Sequence, residues 1–250
     1  FSNFPRPFSI GTYPSATLAV SIESNGSSLY FWRSGLSGLN MSMPNALNTS
    51  TWYHIAVVRN GTTWSIYVNG TLDVSATNST NADNGTTSQF YIGRCFASEF
   101  LNGYIDEFRV TKGVARYTSN FGVPNYQFGD NIGNPSLYYG NNDPFFQNVT
   151  LLLHGDTSPF VDNSQYAATI TNNNVALNTG TKQFGAGSMQ FTPASSSLFT
   201  TPTNANYAFG TGNFTMEYWV YPSTAQYCKI LTKHLKISYK AKIPLHCMTL

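Results

Sequence analysis

Thr51-Trp52-Tyr53-His54-Ile55-Ala56-Val57-Val58-Arg59 is dense in β-branched and aromatic side chains and stops at Asn60-Gly61. Such a run predicts a strand entering a tight hairpin, because Asn and Gly tolerate the left-handed backbone that short hairpin turns need. Beyond the turn, Trp64, Ile66 and Val68 alternate with Ser65, Tyr67 and Asn69, and a second Asn-Gly pair at 69–70 precedes Leu72 and Val74. Alternation with period two sends successive side chains to opposite faces of a sheet. Residues 52–76 therefore predict a three-strand antiparallel meander.

Working outward, Ser28-Leu29-Tyr30-Phe31-Trp32, Gln89-Phe90-Tyr91-Ile92-Gly93 and Gly103-Tyr104-Ile105-Asp106-Glu107-Phe108-Arg109-Val110 read as further strands. Residues 111–117 are too short and too Gly-interrupted for more than one helical turn. From Tyr126 to Asn148 the chain is rich in Asn, Gly, Asp and Pro, which marks a linker or a long surface loop. Short strands resume at 151–154, 167–170, 188–191 and 214–221. The sequence divides into 1–125, a linker at 126–149, a second β-rich part at 150–227 and an atypical tail at 228–250.

Composition narrows the function. Charged residues are only 10% of the chain against 15% aromatic, so the surface is polar but uncharged. The net charge of +2 comes from the tail, which holds five of the 13 basic residues and no acidic one; the remaining eight basic against 11 acidic residues give −3. No basic stripe suited to phosphates is present, which excludes nucleic acid as the expected partner. No run reaches the roughly 18 apolar residues of a membrane span, and three cysteines, Cys95, Cys228 and Cys247, form neither a disulfide framework nor a CxxC pair.

Three motifs in order, residues 51–59, Ser65-Ile66-Tyr67-Val68-Asn69-Gly70 and residues 103–110, closely resemble laminin-G-like jelly-roll domains of the concanavalin A-like superfamily. The continuation at 111–121 is similar to the closing segment of versions common in bacteriophage tail and other surface-attached proteins. Leu151-Leu152-Leu153-His154-Gly155-Asp156, Phe184-Gly185-Ala186-Gly187-Ser188-Met189 and residues 209–220 resemble the opening of the same family. The C-terminal half of a jelly roll (1–125) thus precedes an N-terminal half (150–227). Each half alone exposes sheet edges and half a core, and docking them restores both. The expected fold is all-β: a concanavalin-like jelly-roll sandwich of two antiparallel sheets, one domain assembled in circularly permuted order.

The resemblance implies a calcium ion between opening and closing strands, with Asp106 and Asp156 at the matching positions and loop carbonyls near Asp162 and Asn163 as further oxygens. His54, inside an apolar strand, is expected to be structural; His154 precedes Gly155-Asp156 at a strand end. The superfamily also hosts glycoside hydrolases, whose retaining chemistry needs two carboxylates on one sheet face. Asp106 and Glu107 are adjacent, so a regular strand points them to opposite faces, and no catalytic residue is expected. Tyr13 and Trp32 are possible sugar platforms, but the cluster Tyr138, Tyr139, Phe145 and Phe146 is the main ligand-binding expectation, because a loop rich in Asn and Gly has little core of its own.

The resulting expectation is a non-catalytic carbohydrate-binding or adhesion module of an extracellular or virion-surface protein such as a tail fibre. Its partner would be a cell-surface glycan or polysaccharide, with neighbouring repeats or an oligomer adding multivalency. A structural spacer repeat is the alternative, and a polysaccharide hydrolase the third.

Overall fold

The alternation around Trp64 resolves into two hairpins whose turns follow from their residues. The computed structural model describes residues 47–82, 88–94, 100–130 and 143–223, together with the backbone of four strands nearer the start of the sequence. Those four are β1 (Phe8–Ile10), β2 (Leu18–Glu23), β3 (Ser28–Trp32) and β4 (Met41–Ser42). The meander is β5 (Tyr53–Asn60), β6 (Thr63–Val68) and β7 (Thr71–Thr77). Asn69 and Gly70 both take positive φ (48° and 75°) between paired Val68 and Thr71, the backbone of a type I′ hairpin. There follow β8 (Phe90–Ile92), β9 (Gly103–Lys112), β10 (Val149–Leu153), β11 (Thr171–Asn173), β12 (Ala176–Asn178), β13 (Ser188–Phe191), β14 (Leu198–Thr200) and β15 (Phe214–Pro222). Tyr13, Tyr138, Tyr139 and the tail at 228–250 lie outside the described residues, as does the side chain of Trp32.

The strands form two antiparallel sheets, ordered β11-β14-β8-β1-β2-β3-β4 and β12-β13-β9-β15-β5-β6-β7, with β10 sharing one edge of β9 with β13. This is the expected jelly-roll sandwich. Strands from after residue 149 are interleaved with strands from before residue 112: β15 is hydrogen-bonded to β5 on one side and to β9 on the other, and β14 pairs with β8. Between the sheets lie Ile55, Val57, Trp64, Ile66, Phe90, Phe108, Val110, Leu151, Phe199, Met216 and Tyr218. Each large apolar side chain buried there contributes roughly 1.5–3 kcal/mol of transfer free energy.

The outer face of the second sheet is covered as well. Ala56, Val58 and Tyr67 point outward and pack under Ala115, Tyr117 and Phe121. Leu152 and Val149 pack under Phe128 and Phe146. The segment that composition marks as a linker thus places two aromatic rings in a small core of their own.

Two local expectations are corrected. Residues 167–170 form no strand, because the buried Asp162 carboxylate gathers the loop around itself, accepting N–H bonds from Leu152, Ser164 and Ala168. Strand β11 begins just beyond, at Thr171. Asp106 and Glu107 do not point to opposite faces. Glu107 takes φ 54° and the register shifts opposite Glu217 and Trp219. Ile105 and Phe108 both enter the core, and the two acids between them leave on the same, outer side. A bulge of this kind re-aims side chains without ending the ladder.

Candidate functional site

The outer face of the second sheet carries an ion-pair network that begins with one cross-strand pair. Arg109 of β9 lies directly opposite Glu217 of β15, and its Nε and Nη2 donate to Glu217 Oε1 at 3.0 and 2.8 Å. Arg109 Nη1 donates to Asp143 Oδ2 at 3.1 Å. Arg116 sends Nη1 and Nη2 to the two oxygens of Asp143 at 2.9 and 2.6 Å, and Nε to Thr111 Oγ1. The Tyr117 hydroxyl donates to Glu217 Oε2 at 2.7 Å, and His54 Nε2 lies 3.3 Å from the same oxygen. His54 is fully buried between the rings of Phe121, Phe128 and Trp219.

Burial opposes charge throughout this network, and the partners decide the outcome. Burial raises the Glu217 carboxyl, but Arg109, His54 and Arg116 outweigh it and hold Glu217 well below the usual carboxylate range. Burial likewise works against the Arg109 charge, yet Glu217 and Asp143 lift it above its ordinary value. Arg116 is lowered, by burial first and then by repulsion from Arg109. Burial, reinforced by Glu217, pushes Tyr117 up, so it remains a neutral donor.

A cleft of about 160 Å³ opens over this network, between residues 124–129 and the turn at 143–144, with Arg109, Arg116, Tyr117 and Asp143 along its walls. Tyr126 on its rim is 47% exposed. Phe145 adjoins it, 39% exposed, with the Arg116 guanidinium 5.3 Å from its ring centroid. Of the predicted ligand-binding residues, Phe145 is exposed beside the Asp143 turn without lining the cleft, and Phe146 is 7% exposed and packs with Phe128, Val149 and Leu152. Asp143 folds this turn locally: its carboxylate accepts the Phe145 N–H, and its backbone carbonyl accepts that of Phe146.

The acids expected to hold calcium sit at the other end of β9. Asp106 Oδ2 accepts the N–H groups of Gln183 and Phe184. Asp156 accepts those of Ala186 and Gly187 and the side-chain amide of Gln127. Glu107 accepts the Phe128 N–H and the Gln127 amide and meets His154 Nδ1 at 2.9 Å. Burial, then the charges of Glu107 and Asp156, push Asp106 up to about 7 although two N–H donors pull it down. For His154, burial lowers and the Glu107 hydrogen bond raises, and the balance is upward.

These acids tie together the loops at 127–128, 154–156 and 183–187. Calcium takes six to eight oxygens, and this arrangement does not fit that need. Both Asp156 oxygens face N–H donors, and Asp106 Oδ1 is the buried oxygen of the pair without a hydrogen-bond partner. Among the described residues no three His, Cys, Asp or Glu side chains converge in a metal-holding group. Asp162 and Asn163 stand beside a second hollow of about 230 Å³ between 154–157 and 160–163, of which Asn163 is a wall. The Asp162 carboxylate itself is turned inward.

Arg109, Arg116, Asp143 and Glu217 were not singled out by the motifs. Their signal was present: in a chain with 10% charged residues, Arg109 between Phe108 and Val110, and Glu217 between Met216 and Tyr218, are charges inside apolar runs. What the sequence lacks is their mutual register across 108 residues.

The described residues contain no helix long and apolar enough to cross a membrane. Comparison with curated proteins and with solved structures gives no match. Residues 7–116 match the family model described as the concanavalin A-like lectin/glucanases superfamily. With that match and the two antiparallel sheets, the fold of this chain is a laminin-G-like jelly roll of the concanavalin A-like type.

Proposed function

We propose that this chain is a non-catalytic carbohydrate-binding module, an adhesion element of an extracellular or virion-surface protein such as a tail fibre, and that it takes glycan at the cleft between Tyr126 and Asp143. The observation that carries the reading is the exposed ring of Tyr126 on the rim of a cleft whose polar groups are fixed in place. Sugars present apolar C–H faces to aromatic rings and hydroxyls to polar groups, and pre-oriented polar groups cost little ordering on binding. The match to a superfamily of lectins and glucanases supports the same reading.

At this cleft the carboxylates favour binding over hydrolysis. A glycosidase needs one carboxyl that donates a proton near its working pH. Asp143 is engaged by two arginines, and Glu217 is held ionised by its partners. Asp106, the acid raised to about 7, lies beneath the 183–184 loop and lines neither hollow.

A glycan array probed with the intact chain tests the proposal. Reproducible binding that is lost in Tyr126→Ala with an unchanged melting curve is the expected result. Silence across the array from a folded sample would favour a spacer without ligand.

A further inference from the structure

The network under the cleft closes on itself, and this bears on the class of sugar that fits. Two guanidinium groups face two carboxylates. Each Arg109 nitrogen donates to Glu217 or Asp143, and each Arg116 nitrogen to Asp143 or Thr111. Recognition of a carboxylated or sulfated sugar by arginine uses two parallel N–H donors presented to the anion. Here three of the five N–H groups of each guanidinium are engaged, and the two positive charges are matched by the carboxylates of Asp143 and Glu217. An incoming anion would meet a charge-balanced pair of guanidinium groups, and taking over their carboxylate-facing edges would leave a buried carboxylate without its partner.

The cleft still offers one exposed ring and a small volume. Tyr126 stands at the rim, and Arg116 lies over the ring of Phe145. The cleft volume, about 160 Å³, is well below the roughly 300–1,000 Å³ of pockets that engulf a drug-sized ligand, so it would meet one sugar residue rather than enclose a chain.

We infer that the cleft selects an uncharged pyranose residue and discriminates against uronic-acid, sialylated and sulfated sugars, because its arginine donors are internally compensated by Asp143 and Glu217. This rests on the carbohydrate reading above and names the class of sugar at the same site.

The test is titration of the intact chain with methyl pyranosides of glucose, galactose and mannose, and with the glucuronic and galacturonic counterparts, each at low and high salt. The expected result is binding of at least one neutral pyranoside, insensitive to salt, with the matching uronate no tighter. A uronate bound about tenfold tighter, and weakened by salt as exposed charge pairs are, would overturn the inference while leaving carbohydrate binding intact. Absence of binding to both classes would overturn the carbohydrate reading itself, and this inference with it. A second arm uses Asp143→Asn, which releases guanidinium donors into the cleft. Where it stays folded, uronate affinity should rise by about tenfold or more; a folded variant with unchanged uronate affinity would overturn the compensation argument. Should it fail to fold, the wild-type titration decides alone.

Discussion

Glu217→Gln removes one charge from the centre of the outer-face network and almost no volume. Glu217 is fully buried; its Oε1 takes two Arg109 donors, and its Oε2 takes the Tyr117 hydroxyl and faces His54. Glutamine keeps one acceptor for Arg109 and puts an NH₂ where the other stood, so the Tyr117 hydroxyl must turn from donor to acceptor and Arg109 loses the charge that faces it. Breaking one side of a buried ion pair costs about 3–5 kcal/mol, mostly because the remaining charge is stranded. For a domain of this size each kcal/mol moves Tm by about 2–4 °C, which gives a fall of roughly 6–20 °C. The double replacement Arg109→Met with Glu217→Leu removes both charges and leaves Asp143 with Arg116, so it should cost less than the two single changes together. Because Glu217 is depressed in the folded state, its contribution is present above its ordinary carboxylate range and is lost as pH falls towards its folded value. Glu217→Gln should accordingly flatten the acid side of the stability profile. Urea and thermal unfolding from pH 3 to 8 read both effects. A loss below about 1 kcal/mol, or a double variant as unstable as the sum of the singles, would show that the pair does not hold this face.

Other expectations follow from the opposite end of β9 and from the hairpins. Asp106 is raised from 3.8 to about 7, so the folded state binds its proton more tightly than the unfolded chain does. Its contribution is full below pH 4 and is lost as pH rises towards 7, a swing on the order of 4 kcal/mol. Asp106→Asn should level that decline, and chemical denaturation in chelator at pH 4.5 and 8 would show equal slopes in both proteins if the reasoning is wrong. Gly70→Ala should destabilise far more than Gly61→Ala: both take positive φ, at roughly 1–2 kcal/mol, but a Cβ on Gly70 overlaps the Phe121 carbonyl whereas one on Gly61 meets open space. Calcium and chelator should leave Tm unchanged, since the Asp156 oxygens are taken by N–H donors; a clear rise with calcium would show that the 183–187 loop rearranges to release them.

The elements legible in the sequence are those with strong alternation and marked turns. The hairpins at 60–63 and 68–71 followed from their Asn-Gly pairs, and β9 and β15 from long apolar runs. Strands β11, β12 and β14 are three residues each, and Thr171-Asn172-Asn173 has no apolar alternation to read; tertiary pairing alone makes it a strand. The bulge at Glu107 was hidden because adjacent acids look alike whether a strand is regular or not, and its cause lies in the register with β15. In the same way Phe145 and Phe146 are indistinguishable as neighbours in a loop. Only the turn closed by Asp143 leaves one ring exposed and sends the other into the small core with Phe128.

Strand β15 completes the second sheet from its middle, between β5 and β9. During synthesis, β5 and β9 therefore leave the ribosome without the strand that joins them. At 5–20 residues per second, the 110 positions separating the ends of β9 and β15 amount to roughly 5–20 s in which both inner edges stay open. A nascent chain in that interval presents a strand-shaped slot lined by Ile55, Val57, Ile105 and Val110, open to any β-prone segment nearby, including the same slot on a neighbouring nascent chain. Supplying residues 209–223 as a separate peptide to a chain ended before β15 should fill that slot in trans, making β15 a handle for assembling or labelling the module on demand.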